Sequence, residues 1–145
     1  MNITMPSEIN NNSEGLTEKK MELLLIDDDY VTHRILESYL HRFGKENSII
    51  VNLNSIFDPV QGLFELSKMG QSFDVIALDV QMPMLSGDDI YDFLMQEGAP
   101  LLNNILFVTS CGEDLKARFS SQKLRVLDKP VEYEKFAKIL MSITG

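Results

Sequence analysis

Short apolar runs alternate with amphipathic stretches along the chain from Met21 onward. Five of the runs have the length and composition of buried parallel strands. We predict strands at Leu23–Ile26, Ile49–Leu53, Val75–Leu78, Ile105–Val108 and Leu124–Leu127. This alternation predicts an α/β fold, a doubly wound five-stranded parallel sheet with helices on both faces.

The stretches between the strands repeat apolar residues at the spacing of a helix that packs on one side. We predict helices at Val31–Phe43, from Asp58 to near Gly70, from about Asp88 to Gln96, at about Glu113–Phe119 and at Val131–Ile143. Gly44 and Gly98 are expected to end the first and third of these helices, because glycine is common just past a helix end. Asp58 followed by Pro59 is typical of a helix start.

One side of the first helix is expected to be buried. Its predicted apolar stripe comprises Val31, Ile35, Leu36, Tyr39, Leu40 and Phe43. His33 and His41 lie eight positions apart on this helix, too far to share one metal ion, and we expect both on its surface.

Polar residues follow four of the predicted strands at the point where each strand ends. They are Asp27–Asp28, Asp79, Thr109–Ser110 and Lys129. Ligands of doubly wound sheets bind beyond the carboxyl ends of the strands, where the strand order reverses. A flavodoxin-like order, 2-1-3-4-5, makes the first, third and fourth strands neighbours. We therefore expect these side chains to share one shallow depression.

The chemistry of this group indicates a cation and a phosphate. Asp27, Asp28 and Asp79 repel one another at close range unless a cation neutralises them. An open site lined by carboxylates suits Mg²⁺, which retains waters and often pairs with phosphate. Lys129 adds a positive charge for phosphate oxygens and Thr109 a hydroxyl. The group favours transfer of a phosphoryl group to Asp79 as the nucleophile.

Composition narrows the functional classes. Hydrophobic residues make up 44% of the chain, and its net charge of −9 argues against binding to a nucleic-acid backbone. No apolar run is long enough to span a membrane, and the N-terminus does not have the pattern of a secretory signal. With a single cysteine, Cys111, these features favour the cytoplasm.

Residues 1–20 lack periodicity and are expected to be a flexible polar leader before one domain at 21–145.

Four segments resemble the receiver domains of bacterial two-component response regulators. They are LLLIDDDY (Leu23–Tyr30), FDVIALDVQMPMLSG (Phe73–Gly87), ILFVTS (Ile105–Ser110) and LDKP (Leu127–Pro130). The resemblance implies that Asp27 and Asp28 bind Mg²⁺ and that Asp79 is the phosphorylated aspartate. It also implies that Gln81 offers its backbone carbonyl to the metal.

The same resemblance implies roles for residues on the later strands. Thr109 corresponds to the hydroxyl that moves toward the phosphoryl group, and Lys129 to the lysine that binds it. Lys129–Pro130 is expected to be a cis peptide. Met82–Pro83 and Gly87 belong to the loop that supports the acceptor. The family requires only two acidic residues at this point, and Asp29 is a third. We therefore expect Asp29 to cap the first helix.

Two features depart from the family pattern. The position three before the lysine, usually aromatic, is Val126. The segment between Thr109 and Lys129 is shorter than usual and lacks the Gly-Ala pair that normally precedes the fifth strand. Both changes fall where phosphorylation is normally read out, so they affect the expected threonine–aromatic switch rather than the acceptor chemistry.

Two functions of other classes remain open. Asp27 to Val31 also satisfies the D-x-D-x-[TV] pattern of haloacid-dehalogenase-type phosphatases, in which Asp27 would be the nucleophile and Asp29 the acid and base. That pattern leaves the loop after Asp79 without a role. A pure interaction module that kept the fold without the chemistry is the other alternative.

The receiver resemblance implies a signalling protein that catalyses only its own phosphorylation and dephosphorylation. A sensor histidine kinase or a histidine phosphotransfer protein would supply the phosphoryl group. We expect a stand-alone receiver that acts on a protein target, which the sequence does not name, or a phosphate sink or phosphorelay shuttle. We expect neither nucleic acid nor membrane as a partner.

Overall fold

The computed structural model describes residues 18–69 and 72–144. Strands and helices alternate along the described chain. In chain order they are β1 (Lys19–Ile26), α1 (Tyr30–Asn47), β2 (Ile49–Ile56), α2 (Pro59–Met69), β3 (Val75–Leu78), α3 (Gly87–Gln96), β4 (Ile105–Thr109), α4 (Gly112–Arg118), β5 (Arg125–Asp128) and α5 (Tyr133–Thr144). A short 3₁₀ helix, Pro100–Asn104, precedes β4 and was not predicted.

All neighbouring strands of the sheet are parallel, in the order β2-β1-β3-β4-β5. The predicted fold is therefore confirmed. The register determines which strand ends meet: Ile26 of β1 pairs with Leu78 of β3, so the next residue on each strand is an aspartate. Thr109 of β4 pairs with Asp128 of β5, which brings Lys129 to the same edge.

Successive residues of each strand point to opposite faces of the sheet, and each face has its own core. Leu23 and Leu25 of β1 pack with buried residues of α1 and α5. Leu24 and Ile26 of the same strand pack with buried residues of α2, α3 and α4. Strands buried on both faces explain the continuous apolar runs of the sequence.

Helix α1 does not end at Gly44 as predicted but continues to Asn47. Ser48, with φ of 55°, ends it, and its N–H donates to the carbonyl of Gly44. Gly44 serves a different purpose, because a Cβ at this position would lie 2.7 Å from the carbonyl oxygen of Ile49. This glycine allows the last turns of α1 to approach β2 closely.

The buried stripe of α1 also differs from the prediction. Leu36, Leu40 and Phe43 are buried as expected, but Val31 and Ile35 are exposed. The helix turns its Thr32 and His33 inward instead. Phe93 of α3 is likewise exposed, although it lies on an amphipathic helix.

The expected leader, residues 1–20, lies outside the described residues except for its last three positions. Lys19 and Lys20 form the start of β1 and pair with Ile49 and Ile50. None of the helices in the described ranges combines the length and the apolar character needed to cross a membrane.

Candidate functional site

Three carboxylates converge at the carboxyl ends of β1 and β3. One oxygen from each of Asp27, Asp28 and Asp79 can be chosen so that all lie within 4.8 Å of one another. Asp27 and Asp79 are buried, whereas Asp28 is exposed. The pairing of Ile26 with Leu78 produces this arrangement, as predicted from the strand ends. We call Asp27, Asp28 and Asp79 the acidic cluster.

Lys129 reaches the acidic cluster from the end of β5. Its Nζ lies 2.9 Å from Oδ2 of Asp27 and 3.5 Å from Oδ1 of Asp79. Burial works to lower the pKa of Lys129, but the hydrogen bond to Asp27 and the charges of both aspartates raise it above its ordinary value. The peptide between Lys129 and Pro130 is cis, as predicted. The acidic cluster is therefore in contact with one ammonium group, which the two aspartates keep in its charged form.

Asp79 is a buried carboxyl group whose surroundings disfavour its charged form. Burial and then the charge of Asp27 raise the pKa of Asp79 to about 6, against the opposing effects of Lys129 and the Val80 N–H. Its Oδ1 accepts a hydrogen bond from the Val80 N–H at 2.8 Å. Its Oδ2 accepts no hydrogen bond from the described residues and is not among their buried unsatisfied atoms. Only one of the two carboxylate oxygens of Asp79 thus accepts a hydrogen bond from the described residues.

Asp27 is held much more firmly. Its N–H donates to the carbonyl of Ile56 at 3.1 Å. Its Oδ1 accepts from the Asp29 N–H at 2.8 Å, and its Oδ2 accepts from Lys129. Asp29 in turn caps α1 by accepting from the Val31 N–H at 3.0 Å, so the predicted capping role is confirmed.

The donor set of the acidic cluster fits a hard divalent cation. All three candidate ligands are carboxylates, and Asp28 keeps the group open to solvent. Burial, and after it the charge of Asp27, raises the pKa of Asp79, and a bound cation would offset both effects. Oxygen ligands in a partly open site are the environment that Mg²⁺ prefers.

Thr109 and Gln81 border the cluster without contacting Asp79 through a hydrogen bond among the described residues. Thr109 is buried, and its Oγ1 accepts from the Cys111 N–H at 3.2 Å and lies 3.2 Å from the Cys111 Sγ. The side chain of Gln81 is exposed and accepts from the Ser110 hydroxyl at 3.4 Å. The hydroxyl of Thr109 is therefore turned toward Cys111.

Gly87 supports the acceptor strand from the start of α3. Its N–H donates to the carbonyl of Val80 at 2.9 Å. A Cβ at this position would lie 1.9 Å from the carbonyl oxygen of Asp79. Only a glycine allows this approach, so the predicted supporting role of the loop has a steric basis.

The position of Val126 explains how the shortened segment packs. Val126 is half-buried and pairs with Phe107 across the sheet. A Cβ on Gly112, the first residue of α4, would lie 3.0 Å from its Cγ1. Helix α4 thus lies directly against the small side chain at the position that is usually aromatic.

His33 is the site residue that the sequence interpretation missed. The expected surface position is wrong, because only 4% of His33 is exposed. Its Nε2 lies 2.6 Å from the carbonyl oxygen of Asp27. The signal was present in the spacing, since His33 continues the stripe of Leu36, Leu40 and Phe43 at intervals of three and four residues.

Known proteins resemble this chain over most of its length. No protein-family model matches it. It is 28% identical over 85% of its length to an uncharacterized response regulatory protein of Vibrio cholerae, but spans only 48% of that protein. It is 28% identical to two-component response regulator 24 of Arabidopsis thaliana, covering 87% of this chain and 86% of that protein.

Solved structures share its fold. The receiver domain of a Francisella response regulator is 24% identical with a TM-score of 0.60, covering 86% of this chain and 99% of that one. The receiver domain of a sensor histidine kinase from Pseudomonas aeruginosa, 19% identical, has a TM-score of 0.69 over 87% of this chain and 99% of that one. That structure was solved with a magnesium ion coordinated in its active site cleft.

Proposed function

We propose that this chain, for which sequence relatives and fold both support a receiver domain, accepts a phosphoryl group on Asp79 in a Mg²⁺-dependent reaction. The observation that carries the proposal is the acidic cluster with Lys129 in contact with two of its members. We further propose that a sensor histidine kinase or a histidine phosphotransfer protein is the donor. A yeast osmosensing histidine kinase contains a segment, 10% of its length, that is 25% identical over 85% of this chain, which associates chains of this type with histidine kinases.

The choice of Asp79 rather than Asp27 as the acceptor rests on their hydrogen bonds. Both oxygens of Asp27 already accept hydrogen bonds, and its exposed fraction is 0%. Asp79 keeps Oδ2 without a hydrogen bond among the described residues, and this oxygen is not among their buried unsatisfied atoms. Attack by Asp27 would first require loss of its contacts with Asp29 and Lys129.

In the proposed reaction Oδ2 of Asp79 forms a bond to phosphorus while the bond from phosphorus to the donor nitrogen breaks. The electron pair of the broken bond stays on the departing nitrogen of the donor's imidazole. Asp27, Asp28, Asp79 and the backbone carbonyl of Gln81 would hold Mg²⁺, which would supply positive charge to the phosphoryl oxygens.

The chain's own residues have defined tasks in this step. Asp79 must be deprotonated to attack, which its pKa of about 6 permits at neutral pH. Lys129 lies 3.5 Å from Oδ1 of Asp79 and is placed to bind a phosphoryl oxygen. Thr109 would reach the phosphoryl group by giving up its contacts with Cys111.

Incubation with acetyl phosphate and Mg²⁺, followed by mass spectrometric mapping of the modified residue, tests the proposal. We expect one phosphoryl group on Asp79, lost in Asp79→Asn and in the presence of a chelator. Asp74→Asn is a matched control, because Asp74 lies at the opposite end of β3 and contacts the Glu22 N–H. Label on Asp27 would overturn the proposal in favour of the phosphatase alternative.

The output of the domain is a further part of the proposal. The chain spans about half of the Vibrio relative, so the activity of that whole protein does not carry over. We propose that a phosphorylated stand-alone receiver changes its affinity for a protein target through the surface formed by α4, β5 and α5, with a phosphate sink or shuttle as the alternative. We propose the cytoplasm as its location, with neither nucleic acid nor membrane as a partner.

Pull-downs with and without beryllofluoride and Mg²⁺, on the wild type and Asp79→Asn, separate these outputs. A partner captured only by the beryllofluoride-treated wild type supports regulated binding. Partners that do not respond to beryllofluoride, together with unchanged spectra, favour a pure interaction module. Rapid loss of phosphate to a phosphotransfer protein without a regulated partner favours the sink or shuttle.

A further inference from the structure

We propose that His33 is a positioning residue for the metal site, because its ring holds the peptide carbonyl of Asp27 and thereby fixes the segment that carries Asp27 and Asp28. The inference rests on the proposed function, since it concerns the ligands named there for Mg²⁺. His33 would touch neither the metal nor the phosphoryl group. It would act through the backbone of the acidic pair.

The geometry defines the hydrogen bond. Nε2 of His33 lies 2.6 Å from the carbonyl oxygen of Asp27. A carbonyl oxygen can only accept, so the ring nitrogen that faces it carries the proton and donates. The other ring nitrogen, Nδ1, is buried and has no hydrogen-bond partner in the part of the chain that the structure describes.

Packing alone does not account for a histidine here. The stripe below it consists of Leu36, Leu40 and Phe43, and another apolar side chain would continue that stripe without burying an unpaired nitrogen. The feature that distinguishes histidine from leucine at this position is the hydrogen bond to Asp27. The bond therefore explains why a polar ring occupies a core position.

The carbonyl that accepts this bond belongs to the peptide linking Asp27 to Asp28. Because a peptide unit is planar, holding its carbonyl also fixes where the chain enters Asp28. The side chain of Asp27 has its own contacts with Asp29 and Lys129. Asp28 is exposed and makes no hydrogen bond or ion pair with the described residues. Its placement therefore depends on the backbone.

Phe57 covers the ring of His33 from the loop between β2 and α2. The two ring centroids are 3.9 Å apart with an angle of 31° between the planes. Tyr30 stacks on Phe57 in turn, at 6.2 Å. Phe57 thus limits access of water to the hydrogen bond, although its own outer side is exposed. Removing the ring of Phe57 would weaken the hydrogen bond between His33 and Asp27 while leaving His33 itself in place.

Metal affinity is the measurement that separates positioning from a structural role. Mn²⁺ can replace Mg²⁺ as a spectroscopic probe, with free Mn²⁺ followed by electron paramagnetic resonance and thermal unfolding recorded on the same samples. We expect His33→Leu to weaken Mn²⁺ binding about tenfold, the lower end for residues that support metal ligands. His33→Gln, whose amide nitrogen can donate to the same carbonyl, should recover most of the affinity.

Two further variants control for stability. Leu40 lies on the same helix as His33 and is equally buried, but it packs in the hydrophobic core rather than against the acidic pair. Leu40→Val is therefore the first control. It should lower the melting temperature and leave Mn²⁺ affinity unchanged. Phe57→Ala should give a loss of affinity smaller than that of His33→Leu.

Equal Mn²⁺ affinities of His33→Leu and Leu40→Val would overturn the positioning role while leaving the proposed function intact. If His33→Leu does not fold, wild-type affinity in Phe57→Ala would overturn it instead. A wild-type protein that binds no Mn²⁺ and takes no phosphoryl group would overturn the proposed function together with this inference. The two failures are therefore distinguishable.

Discussion

At the scale of single residues, the proposed reaction requires Asp79 to be negatively charged, whereas the surroundings of its side chain oppose ionisation. Burial and the neighbouring charge of Asp27 raise the pKa of Asp79 from 3.8 to about 6. Between these two values the folded protein binds a proton that the unfolded chain has released. Stability therefore falls as the pH rises through this window, and the full cost is present above the folded pKa. A neutral side chain would avoid that cost.

Asp79→Asn should therefore stabilise the metal-free protein near neutral pH. A shift from 3.8 to about 6 corresponds to an upper limit of about 3 kcal/mol in the free energy of unfolding. The difference from the wild type should be much smaller at a pH close to 4, where the carboxyl is protonated in the folded state and about half protonated in the unfolded state. Urea unfolding in a chelator at both pH values measures it. A less stable Asp79→Asn at neutral pH, with Asp74→Asn as the control, would contradict the burial argument.

The acidic cluster was predictable from the sequence because its members directly follow buried strands. Parallel strands in the order 2-1-3-4-5 bring those ends together whatever the details of the loops. His33 was missed for a physical reason: its polar ring suggests a surface position, and only the contact with the Asp27 carbonyl makes burial favourable. The spacing of His33 with Leu36, Leu40 and Phe43 indicated burial, but the hydrogen bond that makes burial of a polar ring favourable could not be read from the sequence.

At the scale of elements, the loop from β3 to α3 depends on the absence of a side chain at Gly87. We expect Gly87→Ala to lower the free energy of unfolding by about 3 kcal/mol, because its Cβ would overlap the carbonyl of Asp79. Gly98→Ala is the control: Gly98 has φ of 68° but nothing within 4 Å of a Cβ. There the cost should be about 1 kcal/mol, that of the left-handed backbone. Equal losses in urea unfolding would contradict the steric argument.

Helix α4 is short, and one of its side chains forms ion pairs with α3. Arg118 at its end forms ion pairs with Asp88 and with Asp89, the latter at 3.0 Å, and lies 3.7 Å from Asp92. The guanidinium group of Arg118 also lies over the ring of Phe119, which packs edge-to-face against the ring of Tyr91. The pairs are partly exposed, so they contribute little to global stability but can restrain a helix of two turns.

Arg118→Gln should lower the free energy of unfolding by less than about 1 kcal/mol. It should nevertheless speed hydrogen exchange of the α4 amides relative to those of α5, because local opening no longer has to break the ion pairs. Lys116→Gln on the same helix is the control, since Lys116 makes no ion pair within the described ranges. Exchange that rises equally in both variants, or only in α5, would show that Arg118 does not restrain α4.

Element types were predictable where apolar runs were strong, and boundaries were less so. The end of α1 was mispredicted because Gly44 satisfies a close approach to β2 rather than a helix stop. Such a contact joins two elements and depends on the assembled sheet. The start of β1 at Lys19 is similar, since its first residues gain a partner only when β2 is in place.

At the scale of the whole molecule, the net charge of −9 and the acidic cluster predict that divalent cations stabilise the folded state. A cation that binds only the folded state stabilises it by mass action. At a free Mg²⁺ concentration ten times the dissociation constant, the expected gain in the free energy of unfolding is about 1.4 kcal/mol. Screening of surface charge adds a general effect, which constant ionic strength removes.

The gain from Mg²⁺ should depend on pH and on Asp28. Below a pH of about 6, Asp79 binds a proton that competes with the cation, so stabilisation should be clearly smaller near pH 5 than near pH 7. Thermal unfolding over a Mg²⁺ titration at both pH values, at constant ionic strength, measures this. Asp28→Asn should lose most of the gain, whereas Glu65→Gln removes one charge from α2 and should retain it. Equal gains in these two variants would mean that Mg²⁺ acts on the overall charge and not at the acidic cluster.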